Sequence, residues 1–141
     1  MRLLVAAPVF MSVALGCARS SGPAAAPAVP LSQSALTFLR DSVIQGIWIA
    51  ASAEERFFSD HGTYLAEWTR LSREAPRPLP VDVGVELHAF GPAGYAIVAK
   101  HPAWGGRSCV HITSDVRPDP PLATLREGRR AIADSVVCDD P

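Results

Sequence analysis

The chain has 141 residues, 13 basic and 14 acidic side chains, and a formal net charge of −1 at neutral pH. This length allows one domain with a modest core. A charge so close to zero argues against nucleic acid, or a generally anionic membrane surface, as the partner.

The first residues have the pattern of an export signal. Arg2 is followed by an uncharged apolar stretch from Leu3 to Leu15, and then by Gly16 and Cys17. A run this short does not span a membrane and is typical of a signal peptide, which we assign to residues 1–16.

The end of this segment, Val13-Ala14-Leu15-Gly16-Cys17, resembles the lipobox of bacterial lipoproteins. The resemblance implies that Cys17 is acylated, in the manner of a palmitate anchor, and becomes the first mature residue. Each buried methylene of such an anchor contributes about 0.8 kcal/mol to membrane binding. Ala18 follows where some inner-membrane lipoproteins carry aspartate, which favours the outer membrane. An ordinary signal peptide with an unmodified cysteine is the alternative.

Residues 17–31 are predicted to form a tether that carries the lipid. They contain small side chains and several prolines, a composition that cannot bury a core. The folded domain is therefore expected to cover residues 32–141.

The three cysteines are informative because their number is odd for an exported protein. If Cys17 carries lipid, Cys109 and Cys138 remain. A disulfide between them would close a loop of about thirty residues in an oxidising compartment. Free thiols or metal-bound cysteines are the alternatives.

A long amphipathic helix is predicted at the start of the domain. Apolar side chains recur at helical spacing over Leu36–Phe58, Ser32 is placed to cap the N-terminus, and Gly62 is placed to end the helix in a left-handed conformation. Gly46 lowers the helix propensity by up to roughly 1 kcal/mol relative to alanine. We expect the helix over residues 34–59.

The apolar pattern changes after the helix. A short second helix or turn is expected near residues 65–71, and a proline-rich surface loop over residues 72–80. The period then becomes two, which predicts strands over residues 83–90, 95–100 and 108–114, with a short fourth strand within 135–140. The predicted fold is α+β, with one long N-terminal helix packed on a three- to four-stranded antiparallel sheet.

The segment "AASAEERFFSDHGTYLAEWTRL", residues 50–71, together with Gly94-Tyr95 and the paired cysteines, resembles the globular part of type IV pilins and pseudopilins. The resemblance covers roughly residues 34–138. It implies that Tyr64 packs the helix end against the sheet, with help from Phe57 and Phe58. Pilins also carry a hydrophobic N-terminal half-helix, and we expect the lipid and tether to take its place here.

The histidines are the strongest candidates for a catalytic or metal site. His88, His101 and His111 fall on or beside predicted strands, and the remaining candidates are His61, Cys109, Asp60 and Asp115. Their spacing matches no metal-binding or triad pattern. We therefore predict no catalytic residue, metal or cofactor. A metal or small-ligand site on the sheet histidines is the alternative function, and a hydrolase is a third hypothesis.

Other side chains suggest contacts with a partner. Trp68 and Trp104 are possible interaction residues because tryptophan is favoured at binding hot spots, with packing beneath the proline-rich loop as the alternative. Trp48 is expected to pack in the core or at its rim, with an interface contact as the alternative. Arg126–Asp134 is expected to be a solvated face or a loop, with a patch for phosphate or an acidic partner as the alternative.

These features predict a non-enzymatic, lipid-anchored, pilin-like protein of the cell envelope. It would act as a structural or interaction module exposed to the periplasm or cell surface. The expected partners are the membrane, through Cys17, and other envelope or pilus-type proteins, with no nucleic acid.

Overall fold

The computed structural model describes residues 30–113 and 134–139. The predictions for the signal peptide, for residues 17–29 of the tether with Cys17, for Asp115 and for residues 126–133 therefore fall outside the described residues. The helices are α1 (Gln33–His61) and α2 (Trp68–Leu71), and the strands are β1 (Gly84–Ala89), β2 (Tyr95–Lys100), β3 (Ser108–Ile112) and β4 (Val136–Cys138).

Within the described residues, the strands form one antiparallel sheet in the order β1-β2-β3-β4. Helix α1 packs on one face of this sheet, so the predicted α+β fold is confirmed. None of the described helices combines the length and the apolar character needed to cross a membrane.

Both ends of α1 are set by the predicted capping residues. Ser32 Oγ accepts a hydrogen bond from Ala35 N at 3.2 Å, which satisfies a free N–H of the first turn. Gly62 has φ 68°, and its N–H donates to Phe58 O at 2.8 Å. This left-handed conformation costs glycine little and ends the helix.

The core lies between α1 and the facing side of the sheet. It contains buried side chains from the helices, all four strands and the intervening segments: Leu39, Val43, Ile47, Ala50, Ala51, Ala53, Leu71, Val83, Leu87, Tyr95, Ile97, Ala99, Trp104, Cys109 and Cys138. Alternate residues of the sheet form a second buried cluster on the other face: Ala96, Val98, Val110 and Ile112. The period of two in the sequence therefore separates the two faces as expected.

Cys109 and Cys138 form a disulfide that joins β3 to β4. The two residues are directly paired in the sheet, and their side chains belong to the core under α1. The predicted disulfide is confirmed, and the alternatives of free or metal-bound thiols do not apply to this structure.

Candidate functional site

A row of aromatic rings connects the end of α1 to the sheet. Phe58 stacks on Tyr64 with ring centroids 4.5 Å apart, and Tyr64 contacts Tyr95 of β2 at 4.8 Å. The row continues from Tyr95 to His111 at 5.9 Å and from His111 to Trp48 at 5.3 Å. Tyr64 thus lies between the helix end and the sheet, the position that we expected for it.

Phe57 has a different environment from its neighbour in the sequence. Its ring stacks on His61 with centroids 4.0 Å apart, and it is half-buried against the core. It therefore supports the last turn of α1 without joining the row of rings. His61 is also held in this turn, since its Nδ1 lies 2.9 Å from Phe57 O.

Glu54 is a buried carboxyl group on the apolar face of α1. Its side chain has no exposed area, and its Oε2 accepts a hydrogen bond from Leu65 N at 3.0 Å. Its Oε1 has no hydrogen-bond partner among the described residues. The pKa of Glu54 is raised to about 7, mainly because burial disfavours the charged carboxylate. The hydrogen bond from Leu65 lowers the pKa, and the negative charge of Glu55 raises it; both effects are smaller than that of burial.

Glu54 lies in the segment that resembles pilins, but it was not among the candidate site residues. The available signal was its position, four residues after Ala50 and seven after Ile47, which places a carboxyl group in the middle of the apolar stripe. The same region raises the pKa of the Tyr95 hydroxyl, first through burial and then through the charge and hydrogen bond of Glu55. Glu54 on α1 and Tyr95 on β2 therefore both lie in a setting that disfavours their charged forms.

The sheet histidines do not meet in one site. His111 is paired with Ile97, which is paired with Leu87, and these side chains lie on the face covered by α1. His88 follows Leu87 and so points to the opposite face. His101 lies in the turn after β2, where its Nδ1 accepts from Ala103 N at 3.1 Å.

The described residues contain no group of three or more His, Cys, Asp or Glu side chains that could hold a metal ion. His111 is instead part of the packed interior, with its Nδ1 3.3 Å from Ser135 O. Cys109 is committed to its disulfide, and a disulfide sulfur is not a nucleophilic thiol.

The two tryptophans proposed as partner contacts have different positions. Trp104 is 1% exposed and belongs to the core. Its role is therefore packing, and it offers no surface to a partner. Its Nε1 has no hydrogen-bond partner within the described part of the chain. Trp68 is half-buried and lines a surface depression, so it remains available for contact.

This depression, which we call the Trp68 cavity, has a volume of about 420 Å³. Its lining residues come from α2 and the proline-rich loop that follows: Trp68, Ser72, Ala75, Arg77, Pro78 and Leu79. The size falls in the range of about 300–1,000 Å³ that small-ligand sites occupy. The cavity combines an aromatic wall, from Trp68, with a cationic side chain, from Arg77.

No family model matches this chain, and no curated protein matches it either. The candidate site is accordingly defined by its geometry and chemistry.

Proposed function

We propose that this protein is a non-enzymatic, lipid-anchored, pilin-like protein of the bacterial envelope that acts as a structural or interaction module. The observation that carries the proposal is the order of three segments: the lipobox-like Val13–Cys17, the small-residue tether, and the helix that Ser32 caps. A lipid on Cys17 would thus be joined by a short tether to the N-terminus of α1.

The pilin-like part of the proposal is supported by the end of α1. The Gly62 cap turns the chain so that Tyr64 reaches both Phe58 and Tyr95. This helix-to-sheet contact is the one that the resemblance to pilins implies for the tyrosine after the glycine.

The exposed beginning of α1 supports a role in contacts with other molecules. Phe38 is 71% exposed and Leu31 is 46% exposed, although both are large apolar side chains. They lie near the point where the tether would join the domain, and they leave apolar surface there for another molecule to contact. Single exposed apolar residues are common, and these two add to the proposal without carrying it.

The test is the intact mass of the protein extracted from bacterial membranes, compared with a Cys17→Ala variant. We expect a mature chain that begins at Cys17 and carries acyl chains, and a variant that lacks this acyl mass. Separation of inner and outer membranes then tests the outer-membrane placement. An unacylated natural chain would contradict the proposed anchor.

A further inference from the structure

We infer that the Trp68 cavity is a docking site for an acidic peptide segment of a partner protein, one that places an apolar side chain beside a carboxylate. The inference rests on the proposed function, since it names the kind of partner that the interaction module would hold.

The floor of the cavity is apolar. Trp68, Ala75 and Leu79 line it, and all three are half-buried, so part of each side chain faces the cavity opening. Tryptophan supplies a large contact area with few rotatable bonds, which is why it is common at binding hot spots. An apolar side chain of a bound peptide would remove its own surface and the apolar floor of the cavity from water.

The rim of the cavity is polar and cationic. Arg77 and Ser72 are exposed there, and the Arg77 guanidinium has no hydrogen bond or ion pair within residues 30–113 and 134–139. Arg70 differs, because it lies 4.0 Å from Glu67. A guanidinium with all its donors available is suited to a carboxylate, which it can bind through two parallel hydrogen bonds.

The charge of the surrounding segment favours the same partner. Residues 67–80 contain three arginines and two glutamates, and one of these glutamates, Glu67, is paired with Arg70. This local excess of positive charge would attract an acidic segment and repel a basic one. The whole chain is close to neutral, so the preference belongs to this surface and not to the protein in general.

The wall of the cavity is held in place before any partner binds. Ser72 N donates to Trp68 O at 2.7 Å, and Arg56 Nη1 donates to Glu74 O at 3.2 Å, which ties the loop to α1. The prolines at positions 76, 78 and 80 fix φ along the loop. Binding would therefore order little additional chain, which lowers its entropic cost.

The experiment measures the fluorescence anisotropy of two labelled peptides, EFELE and its charge-reversed form KFKLK, titrated with the full-length protein in detergent micelles. We expect EFELE to bind and KFKLK to bind at least about tenfold more weakly. Arg77→Glu should weaken EFELE binding by about tenfold or more and improve the binding of KFKLK, because the charge on the rim is reversed. Trp68→Ala should weaken both peptides.

Two variants serve as matched controls. Arg40→Glu reverses an exposed arginine on α1, and Trp48→Ala removes a half-exposed tryptophan, and neither residue lines the cavity. Both should bind EFELE as the natural sequence does. Circular dichroism identifies any variant that fails to fold, and the exposed Arg77 keeps the test decisive if Trp68→Ala does not fold.

The inference is overturned if EFELE does not bind, if the two peptides bind equally, or if Arg40→Glu weakens binding as much as Arg77→Glu does. Repeating the titration with the Cys17→Ala protein separates this inference from the proposed anchor. A natural chain that is unacylated by mass and still binds EFELE would leave the docking site standing while the anchor fails. An acylated chain that binds neither peptide would do the reverse.

Discussion

At the scale of single residues, Glu54 couples protonation to folding. Its pKa is raised from 4.5 to about 7 by burial, so between these values an unfolded chain releases the proton while the folded chain retains it. The contribution of this group to stability is complete below pH 4.5 and is lost as the pH rises through 7. The loss in the free energy of unfolding would be up to about 3 kcal/mol.

Replacing Glu54 with glutamine should remove this dependence on pH. Glutamine keeps an oxygen that can accept from Leu65 N, but it carries no charge to bury. We expect Glu54→Gln to be more stable than the natural sequence at pH 8 and close to it at pH 4.5, as measured by urea unfolding at a series of pH values. Glu67→Gln, at an exposed position, is the control. A natural protein whose stability does not fall between pH 5 and 7 would contradict this assignment.

Gly46 illustrates a residue whose role depends on a distant contact. A Cβ at this position would lie 2.6 Å from Val83 Cγ1, closer than side chains normally approach. Glycine in the middle of α1 lowers helix propensity, yet here it permits the segment before β1 to approach the helix closely. The stiff, branched side chain of Val83 has little freedom to move away.

Gly46→Ala should therefore destabilise the protein by about 1–3 kcal/mol, although alanine is the better helix former. The double variant with Val83→Ala should lose less than the sum of the two single losses, because the shorter side chain relieves the clash. Urea unfolding of all three variants gives this coupling energy. Gly84→Ala is a control with open space around the added methyl group. A Gly46→Ala protein more stable than the natural one would refute the argument.

At the scale of elements, local signals predicted the helix and strands well, and contacts between elements were less predictable. The bounds of α1 follow from Ser32, Gly62 and the apolar spacing, all of which are local. The burial of Trp104 depends instead on how the turn after β2 meets the core. The placement of His88 and His111 on opposite faces of the sheet depends on the register of the strands. The sequence around either histidine does not determine that register.

The disulfide is the element-scale feature with the clearest consequence for stability. It joins residues 29 apart in the sequence and connects the short β4 to β3. In the chain-entropy model a loop of this length contributes about 3–4 kcal/mol by restricting the unfolded chain. A strand of three residues gains much of its attachment to the sheet from such a link.

The double variant Cys109→Ala, Cys138→Ala should therefore unfold at a substantially lower temperature. Addition of a reductant should lower the melting temperature of the natural protein toward that of the variant, and leave the variant unchanged. Thermal unfolding followed by circular dichroism, with and without reductant, makes the comparison. Equal melting temperatures for the oxidised protein and the variant would mean that the bond does not stabilise the fold.

At the scale of the whole molecule, the principal core joins every described element to α1. It contains side chains from each of them: Leu39 of α1, Leu71 of α2, Leu87 of β1, Ile97 of β2, Cys109 of β3 and Cys138 of β4. Loss of α1 would expose the face of the sheet that it covers, and loss of the sheet would leave the helix without a partner. A long helix with a single apolar face has little stability in water by itself.

We therefore expect the domain to unfold in one cooperative step. Far-UV circular dichroism would follow mainly α1, and fluorescence would follow Trp48 on the helix, Trp68 beside its cavity and Trp104 in the core. Glu54 should make the urea midpoint lower at pH 8 than at pH 5. At each of these pH values, however, circular dichroism and fluorescence should give the same midpoint as each other. A circular dichroism midpoint above the fluorescence midpoint would mean that α1 persists after the sheet has separated from it. The shared core would then not make one cooperative unit, and the pH dependence would belong to the helix end and not to the whole domain.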